Sequence, residues 1–556
     1  MMVFSWDETL DLCKALPMFF LVPFCMVAVL SSGVESSYEF DVFRMYQYEL
    51  HGQSYGCHGS QVNMEARTSS AQQLHRRCVV SHLNNLSIES FRDLIDRGAG
   101  SILVIVPPKS SWDGSAAKEW LELEQHLLTE TVSVPVYFAW ETPELLALHG
   151  DLVSAANGDK SATALDSMLS VFSGRGYQMV ASARESKPIK DAVITTLVGK
   201  LSGRSDGQQQ SPLPTLAVVA HYDAHSVSPH LSFGGDSNGS GVVALLELAR
   251  LFSRLYADKK TKANFDLLFV LTGGSKLDYQ GTKQWIDSVS ESDENPLSNV
   301  HYVLCLDSLG NGDGIVIHVS RPPKEGTPAH AVVSSLREVA SSVGINFTMV
   351  HKKINLADDR SAWEHERFSI KRIPAATLSW YPSFAAAKAR NTIYDQRSNV
   401  DSDIVSRNIH FLAEGVAHYI FNMSTKSLGS SFSLFNSSSH LHKPLVSSWL
   451  DHFATVARSQ QLLGRDHSLI STLEQELSQS CHVTRHVTKA DKRDPDFVFY
   501  DAAKATMIAH SIKPGIFDLV LALIVAVYLL AVFGVVQVFP SITARVSQML
   551  HKSKLA

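Results

Sequence analysis

The sequence predicts an α/β protein: a mixed, mostly parallel sheet sandwiched by helices, a smaller α/β region ahead of it, and one C-terminal transmembrane helix. Three observations predict this. The first is Leu216 to Tyr256. An apolar run, Leu216 to Ala220, reads as a buried strand. His221 and Asp223 stand at its carboxyl end, a Gly-rich turn runs from Gly234 to Gly241, and Val242, Leu245, Leu246, Ala249 and Phe252 recur at helical spacing. In open α/β sheets, sites form at such strand ends. The second is the repetition of strand–helix units from Arg175 to Ser424, which calls for a sheet covered on both faces. The third is Leu519 to Phe539, which carries no charge. At 1.5 Å per residue it covers about 30 Å, one bilayer core.

Composition narrows the classes. The chain has 556 residues, 45% hydrophobic and 19% charged, with a formal net charge of −6. This is globular with membrane character and long enough for more than one folded unit. No Lys/Arg cluster or aromatic RNA-reading motif occurs, so direct nucleic-acid binding has no support.

Residues 1–36 hold an apolar segment, Ala15 to Leu30, then small residues Ser31 to Gly33, and read as a signal peptide or, given the acidic residues Asp7, Glu8 and Asp11, a signal anchor. Residues 37–174 form an N-terminal α/β region. There Tyr38 to Glu49 alternates like a strand, Glu65 to Cys78 is expected to be helical, Ser101 to Pro107 and Val136 to Trp140 are strands, and Trp112 to Thr131 is a helix. Residues 175–424 hold the main domain. Strands are expected at Ala192–Lys200, Phe265–Leu271, Val300–Leu306, Gly314–Val319 and Pro374–Leu378. Helices are expected from Gly281, at Thr327–Ser342 and at Ser406–Phe421. Residues 425–514 read as a Ser-rich linker and a helical region, 515–540 as the span, and 541–556 as a tail. Arg545, Lys552 and Lys554 follow the span, so the tail is expected in the cytosol and the bulk in the lumen, a single-pass type I arrangement. The sequons Asn85, Asn346, Asn422 and Asn436 suit that side, whereas Asn238 lies in the Gly turn and is expected to go unused. Of six cysteines, Cys57 and Cys78 are the most plausible disulfide; the other reading leaves all of them free and buried.

His-X-Asp after a strand, followed by a Gly/Asn/Ser/Gly turn into a helix, resembles the di-zinc aminopeptidase family. The resemblance implies that His221 stands at a zinc-ligand position, Asp223 orients it, and Asp307 and His365 stand at later ligand positions. It also implies a bridging Asp directly before the Asn-Gly-Ser-Gly turn, where this chain has Ser237. A Glu-Glu pair supplying the general base and a ligand falls on Ser275 and Lys276. Zinc needs at least three protein ligands, and a lysine ammonium repels dications. The expectation is therefore the fold without the reaction, with no cofactor. Asp236, Asp278, His225 and His230 are the residues from which a site could be rebuilt.

The stretches HYDAHSVSPHLSFGGDSNGSGVVALLELARLFSRLY, YQGTKQW, NLADDRSAWEHERF and ADKRDPDFVFYD look closely like the nicalin family, catalytically inactive and nicastrin-like. That resemblance implies residence in the endoplasmic reticulum membrane and partnership with Nodal modulator and a small multipass membrane protein. It further implies a place at the Sec61 translocon, with the ribosome-associated complex, assisting multipass membrane protein biogenesis. The alternatives are an active membrane-anchored zinc exopeptidase and a nicastrin-like substrate receptor.

Overall fold

The computed structural model describes residues 37–108, 114–161, 176–204, 212–291, 295–356, 360–423, 433–435, 441–491, 493–512 and 515–552. The signal segment at 1–36 and Asn436 lie outside them. In chain order the strands are β1 Ser37–Arg44, β2 Gln47–Leu50, β3 Gln53–Cys57, β4 Asn63–Thr68, β5 Cys78–His82, β6 Ser101–Val106, β7 Thr131–Val132, β8 Val136–Trp140, β9 Gly176–Ala181 and β10 Val193–Leu201. There follow β11 Thr215–His221, β12 Asp266–Thr272, β13 Val300–Leu306, β14 Gly314–Val319, β15 Asn346–His351, β16 Ala375–Ser379, β17 His482–Lys489, β18 Phe497–Phe499 and β19 Lys504–Ile512.

The main sheet has eight strands in the order β15-β14-β16-β13-β11-β12-β10-β17. Its centre is parallel: β11 pairs with β12 and with β13, and β13 with β16. Antiparallel β10 and β17 extend one side. Side chains alternate across a strand, and β11 shows the result. Leu216, Val218 and Ala220 enter one core with the helices Gly241–Ala257, Pro328–Val343 and Ser402–Ile420. Ala217 and Val219 enter a second core with Trp285, Ile286 and Phe368 from the helices Gln280–Ser290 and His365–Ile370. Both faces are covered, as the continuous apolar run of β11 requires.

The N-terminal part closes into a barrel, β1-β19-β9-β4-β5-β6-β8, with β8 returning to β1. One apolar cluster joins Ile102, Val104 and Phe138 of this barrel and Trp120 of the helix Gly114–Leu127 to Val227, Leu231, Ile393 and Tyr394 of the main domain. This cluster is the seam between the two parts. A small sheet, β18-β2-β3-β7, packs Tyr48, Leu50, Phe497 and Phe499 against Ile194 and Leu277 beside it.

Several expectations are corrected. The segment 425–514 is not mainly a linker and helices, because β17 completes the main sheet and β19 lies inside the barrel. Strand β9, placed in the main domain from sequence, also belongs to the barrel. Glu65 to Cys78 is not helical: β4 ends at Thr68 and β5 begins at Cys78, and Ala66 and Thr68 are buried while Glu65 and Arg67 are only partly so, a period of two. Cys57 and Cys78 are both free and buried. They sit in different apolar clusters, and the Cys57 thiol donates to the Met45 carbonyl at 3.4 Å. The helical part of the segment 425–514 consists of two helices, Lys443–Thr455 and Ser468–Ser480. The membrane-type helix runs from Gly515 through Pro540 to Lys552, so much of the expected tail is helical.

Candidate functional site

The site lies where β11, β12 and β13 end. His221 closes β11 and Asp307 follows β13 directly, so adjacent parallel strands bring them to one level. The Gly turn crosses above them. Gly234 is left-handed, φ 66°, and a Cβ there would come within 2.5 Å of Ala224 Cβ and of the Ser237 carbonyl oxygen. Only glycine fits. Asn238 fastens the turn to both strands: its Nδ2 donates to the carbonyls of His221 at 3.2 Å and Leu306 at 2.7 Å, and its Oδ1 accepts from Ser308 N at 3.2 Å. Asn238 is fully buried, so this sequon offers no surface for a glycan.

Asp307, Asp223, His221 and His365 all face protein groups. Asp307 forms an ion pair with Arg390, and its other oxygen accepts from Ser308 Oγ at 3.0 Å. Burial pushes the Asp307 carboxyl up, but Arg390, His221 and Lys276 outweigh it and hold it below the usual range. Asp223 does not orient His221. It accepts from Ser275 N at 2.9 Å and Ser275 Oγ at 3.0 Å. The His221 ring instead faces Glu364, Nδ1 to Oε2 3.7 Å, and Glu364 Oε1 accepts from Thr272 and Thr282 hydroxyls at 2.7 and 2.6 Å. His365 Nδ1 lies 2.9 Å from Thr377 Oγ1, and burial with His318 nearby lowers the His365 pKa to about 3. The Lys276 Nζ is buried with no hydrogen-bond partner. Burial first, then Arg390, brings its pKa down to about 7.

Ser237 and its neighbour Asp236 behave differently. The Ser237 hydroxyl is buried and unpartnered. Asp236 accepts from Ser240 Oγ, Gly310 N and Trp380 Nε1, each at 2.7 Å. Burial and the adjacent Asp395 raise its pKa to about 7. Asp395 in turn accepts from the backbone N–H of Asp236 at 2.9 Å and of Ser237 at 2.8 Å. The remaining rebuilding candidates do not converge. Asp278 pairs with Arg367, His225 packs on Tyr46 at 4.6 Å, and His230 lies beside Phe43 of the barrel.

Two zinc ions do not fit these residues. Positive charge at Asp307 already comes from Arg390, a second cation stands at Lys276, and among the described residues no three His, Cys, Asp or Glu side chains converge on a metal position. Four residues that shape the site carry no motif in the sequence: Arg390, Glu364, Asp395 and Arg458. Arg458 is fully buried and donates to the carbonyls of Tyr222, Phe233 and Gly234, tying the stretch between two C-terminal helices to the site. Glu364 directly precedes His365 in WEHERF, and that adjacency is its one local signal.

The fold and the site define an aminopeptidase-type domain in which Asp307 pairs with Arg390 and the His221 ring faces Glu364. The model described as Peptidase family M28 matches residues 196–420, the span that holds all of them. The whole chain belongs to the nicalin family. It is 43% identical to BOS complex subunit ncln of Danio rerio over 92% of this chain and 93% of that protein. It is 41% identical to BOS complex subunit NCLN of Homo sapiens over 98% of both, and 30% identical to nicalin of Caenorhabditis elegans over 95% and 96%. Among solved structures, the gamma-secretase component nicastrin matches with a TM-score of 0.57 at 11% identity, covering 85% of this chain and 99% of that one. That is a likeness of fold.

Proposed function

We propose that this chain is a non-catalytic scaffold subunit of an endoplasmic reticulum membrane complex, the BOS complex for which its relatives are named. The ectodomain is luminal and the helix Gly515–Lys552 provides a single type I span, with a 21-residue window at Val525–Arg545 apolar enough to cross a bilayer. Its partners are Nodal modulator and a small multipass membrane protein, and the assembly works at the Sec61 translocon in multipass protein biogenesis. The observation that carries the non-catalytic reading is the Arg390–Asp307 ion pair, with Lys276 where a ligand is required. Ser275 stands where the resemblance places the carboxylate that takes a proton from water.

Purified protein supplied with zinc is expected to release no amino acid from peptides. Chelator-sensitive turnover abolished by His221→Ala sinks the reading and restores the exopeptidase alternative. Glycan at Asn85, Asn346 or Asn422, all exposed, or at Asn436 is expected to be sensitive to a high-mannose-specific endoglycosidase. Mass spectrometry of proteins retained in mild detergent tests the partners; recovery of an intramembrane protease in place of translocon components favours the substrate-receptor alternative.

A further inference from the structure

The barrel carries a cleft that no part of the aminopeptidase-like site uses. Its volume is about 320 Å³, and its lining includes Glu65, Arg67, Arg77, Leu152, Ala156 and Gly176. Its position follows from strand register. Gly176 pairs with Ile512, the last residue of β19, and a Cβ on Gly176 would lie 3.3 Å from Ile512 Cγ1. On its other side β9 is antiparallel to β4, with Gln178 opposite Glu65. Carrying that register two residues further sets Arg67 level with Gly176. Strands lie about 4.8 Å apart, so the Arg67 backbone stands about 10 Å from Ile512.

The membrane-type helix begins at Gly515 and its uncharged stretch at Leu519. Two intervening residues reach at most about 10 Å from Ile512 to Gly515, and one helical turn adds about 6 Å. The polar layer on each side of a bilayer core is about 5–7 Å deep. The end of β19 thus lies no more than about 16 Å from the uncharged stretch, which keeps the cleft within reach of the headgroup layer on the ectodomain side.

Its chemistry suits that level. Two guanidiniums share one carboxylate: Arg67 reaches Glu65 Oε1 at 2.7 Å and Arg77 pairs with Oε2. Each guanidinium has five N–H donors, more together than one carboxylate can accept, and the three charged lining residues sum to +1. The site is held in shape from both sides. Arg97 donates to the carbonyls of Ser69 and Ala71 in the loop after β4. Tyr177 of β9 donates to Asp151 at 2.7 Å, fixing the helix that carries Leu152 and Ala156. Paired arginines recognise phosphate through fork-shaped hydrogen bonds, and Leu152 with Ala156 gives an apolar wall for the adjoining glycerol and acyl carbons.

We propose that this cleft binds the phosphodiester headgroup of a phospholipid in the ectodomain-side leaflet, seating the barrel on the membrane. The inference rests on the single-span reading. The test uses the full chain in nanodiscs of phosphatidylcholine carrying a photoactivatable headgroup, with crosslinks mapped by peptide mass spectrometry. Crosslinks are expected within residues 65–77 and 152–156. Arg67→Ala with Arg77→Ala should reduce them about tenfold, the loss of roughly one strong charge-assisted contact. Ala156→Trp, which fills the cleft and keeps both guanidiniums, should do the same without touching the Glu65 ion pairs. Unchanged crosslinking in both variants overturns the proposal, and so does equal displacement by inorganic phosphate, which marks a small-anion site. Alkaline extraction reads the span separately: release from the membrane defeats the topology, whereas a retained chain without headgroup crosslinks defeats only the cleft.

Discussion

Two polar clusters share the Gly turn, and they differ in satisfaction. In the first, Asp236 and Asp395 accept five hydrogen bonds from Ser240, Gly310, Trp380 and the backbone of Asp236 and Ser237. In the second, both His221 nitrogens, the Ser237 hydroxyl, Lys276 Nζ and Glu364 Oε2 are buried without a hydrogen-bond partner. An unsatisfied buried polar group costs about 1–3 kcal/mol. The first cluster is thus a joint that stabilises the turn, and the second is a cost the rest of the fold offsets. Ser237 belongs to both: its N–H serves the joint, its hydroxyl serves nothing in the protein. Burial alone does not distinguish a structural carboxylate from a remnant. Partner counting does.

Substitutions can break or sharpen that contrast. The largest effect is expected at the boundary. Arg390→Met leaves Asp307 charged, buried and unpaired and should cost about 3–5 kcal/mol, read as a loss of the denaturation midpoint; a change under about 1 kcal/mol would show that solvent reaches Asp307. Asp236→Ala strips three donors of their acceptor and should cost about 3 kcal/mol, with altered Trp380 fluorescence because the indole loses its partner.

Glu124→Gln tests a buried acid at the domain seam. Glu124 Oε1 accepts from Val227 N at 3.3 Å and Ile393 N at 3.0 Å. Burial raises its pKa to about 7 despite these bonds. The folded state therefore holds a proton that the unfolded state, titrating near 4.5, gives up. Wild-type stability falls as pH rises from about 4.5 to 7, and the loss is complete above that. Glutamine keeps the acceptor and removes the charge, so it should stabilise by on the order of 2–3 kcal/mol at pH 8 and by nothing at pH 4. Equal effects at both pH values would exclude a charge-based origin.

Smaller effects belong to the unsatisfied cluster. Lys276→Met should stabilise by about 1–2 kcal/mol, since it removes an ammonium that the site holds without a hydrogen bond. Ser237→Ala should stabilise by about 1 kcal/mol, since it removes a buried hydroxyl that has no partner. A clear loss on Ser237→Ala would reveal a partner for that hydroxyl and move it into the satisfied cluster.

Much of the centre was legible in the sequence. The run at β11, the Gly turn and VLCLD before Ser308 are local patterns, and parallel pairing carries their ends to one place. Arg390 was not legible. It sits in AAAKARN, where nothing local separates a buried guanidinium from a solvated one, and its partner is far along the chain. Glu65 to Cys78 is not legible as a strand and loop because only Ala66 and Thr68 show the period of two, too short a run to outweigh the helix formers around it. β17 and β19 were missed because their outward positions are polar and their partners are distant strands. The Cys57–Cys78 pairing rested on elimination alone, and register placed the two thiols in separate cores.

Strand β19 enters the barrel last in sequence yet lies between β1 and β9, hydrogen-bonded along both sides. It is also the strand that leads into the membrane-type helix. Ladder bonds in an antiparallel pair run perpendicular to the strands. A pull directed along β19 would load the two ladders in shear, so their bonds would yield together and not one after another from an end. The strand nearest the helix is thereby held by two full ladders, and loss of either partner strand would weaken the attachment.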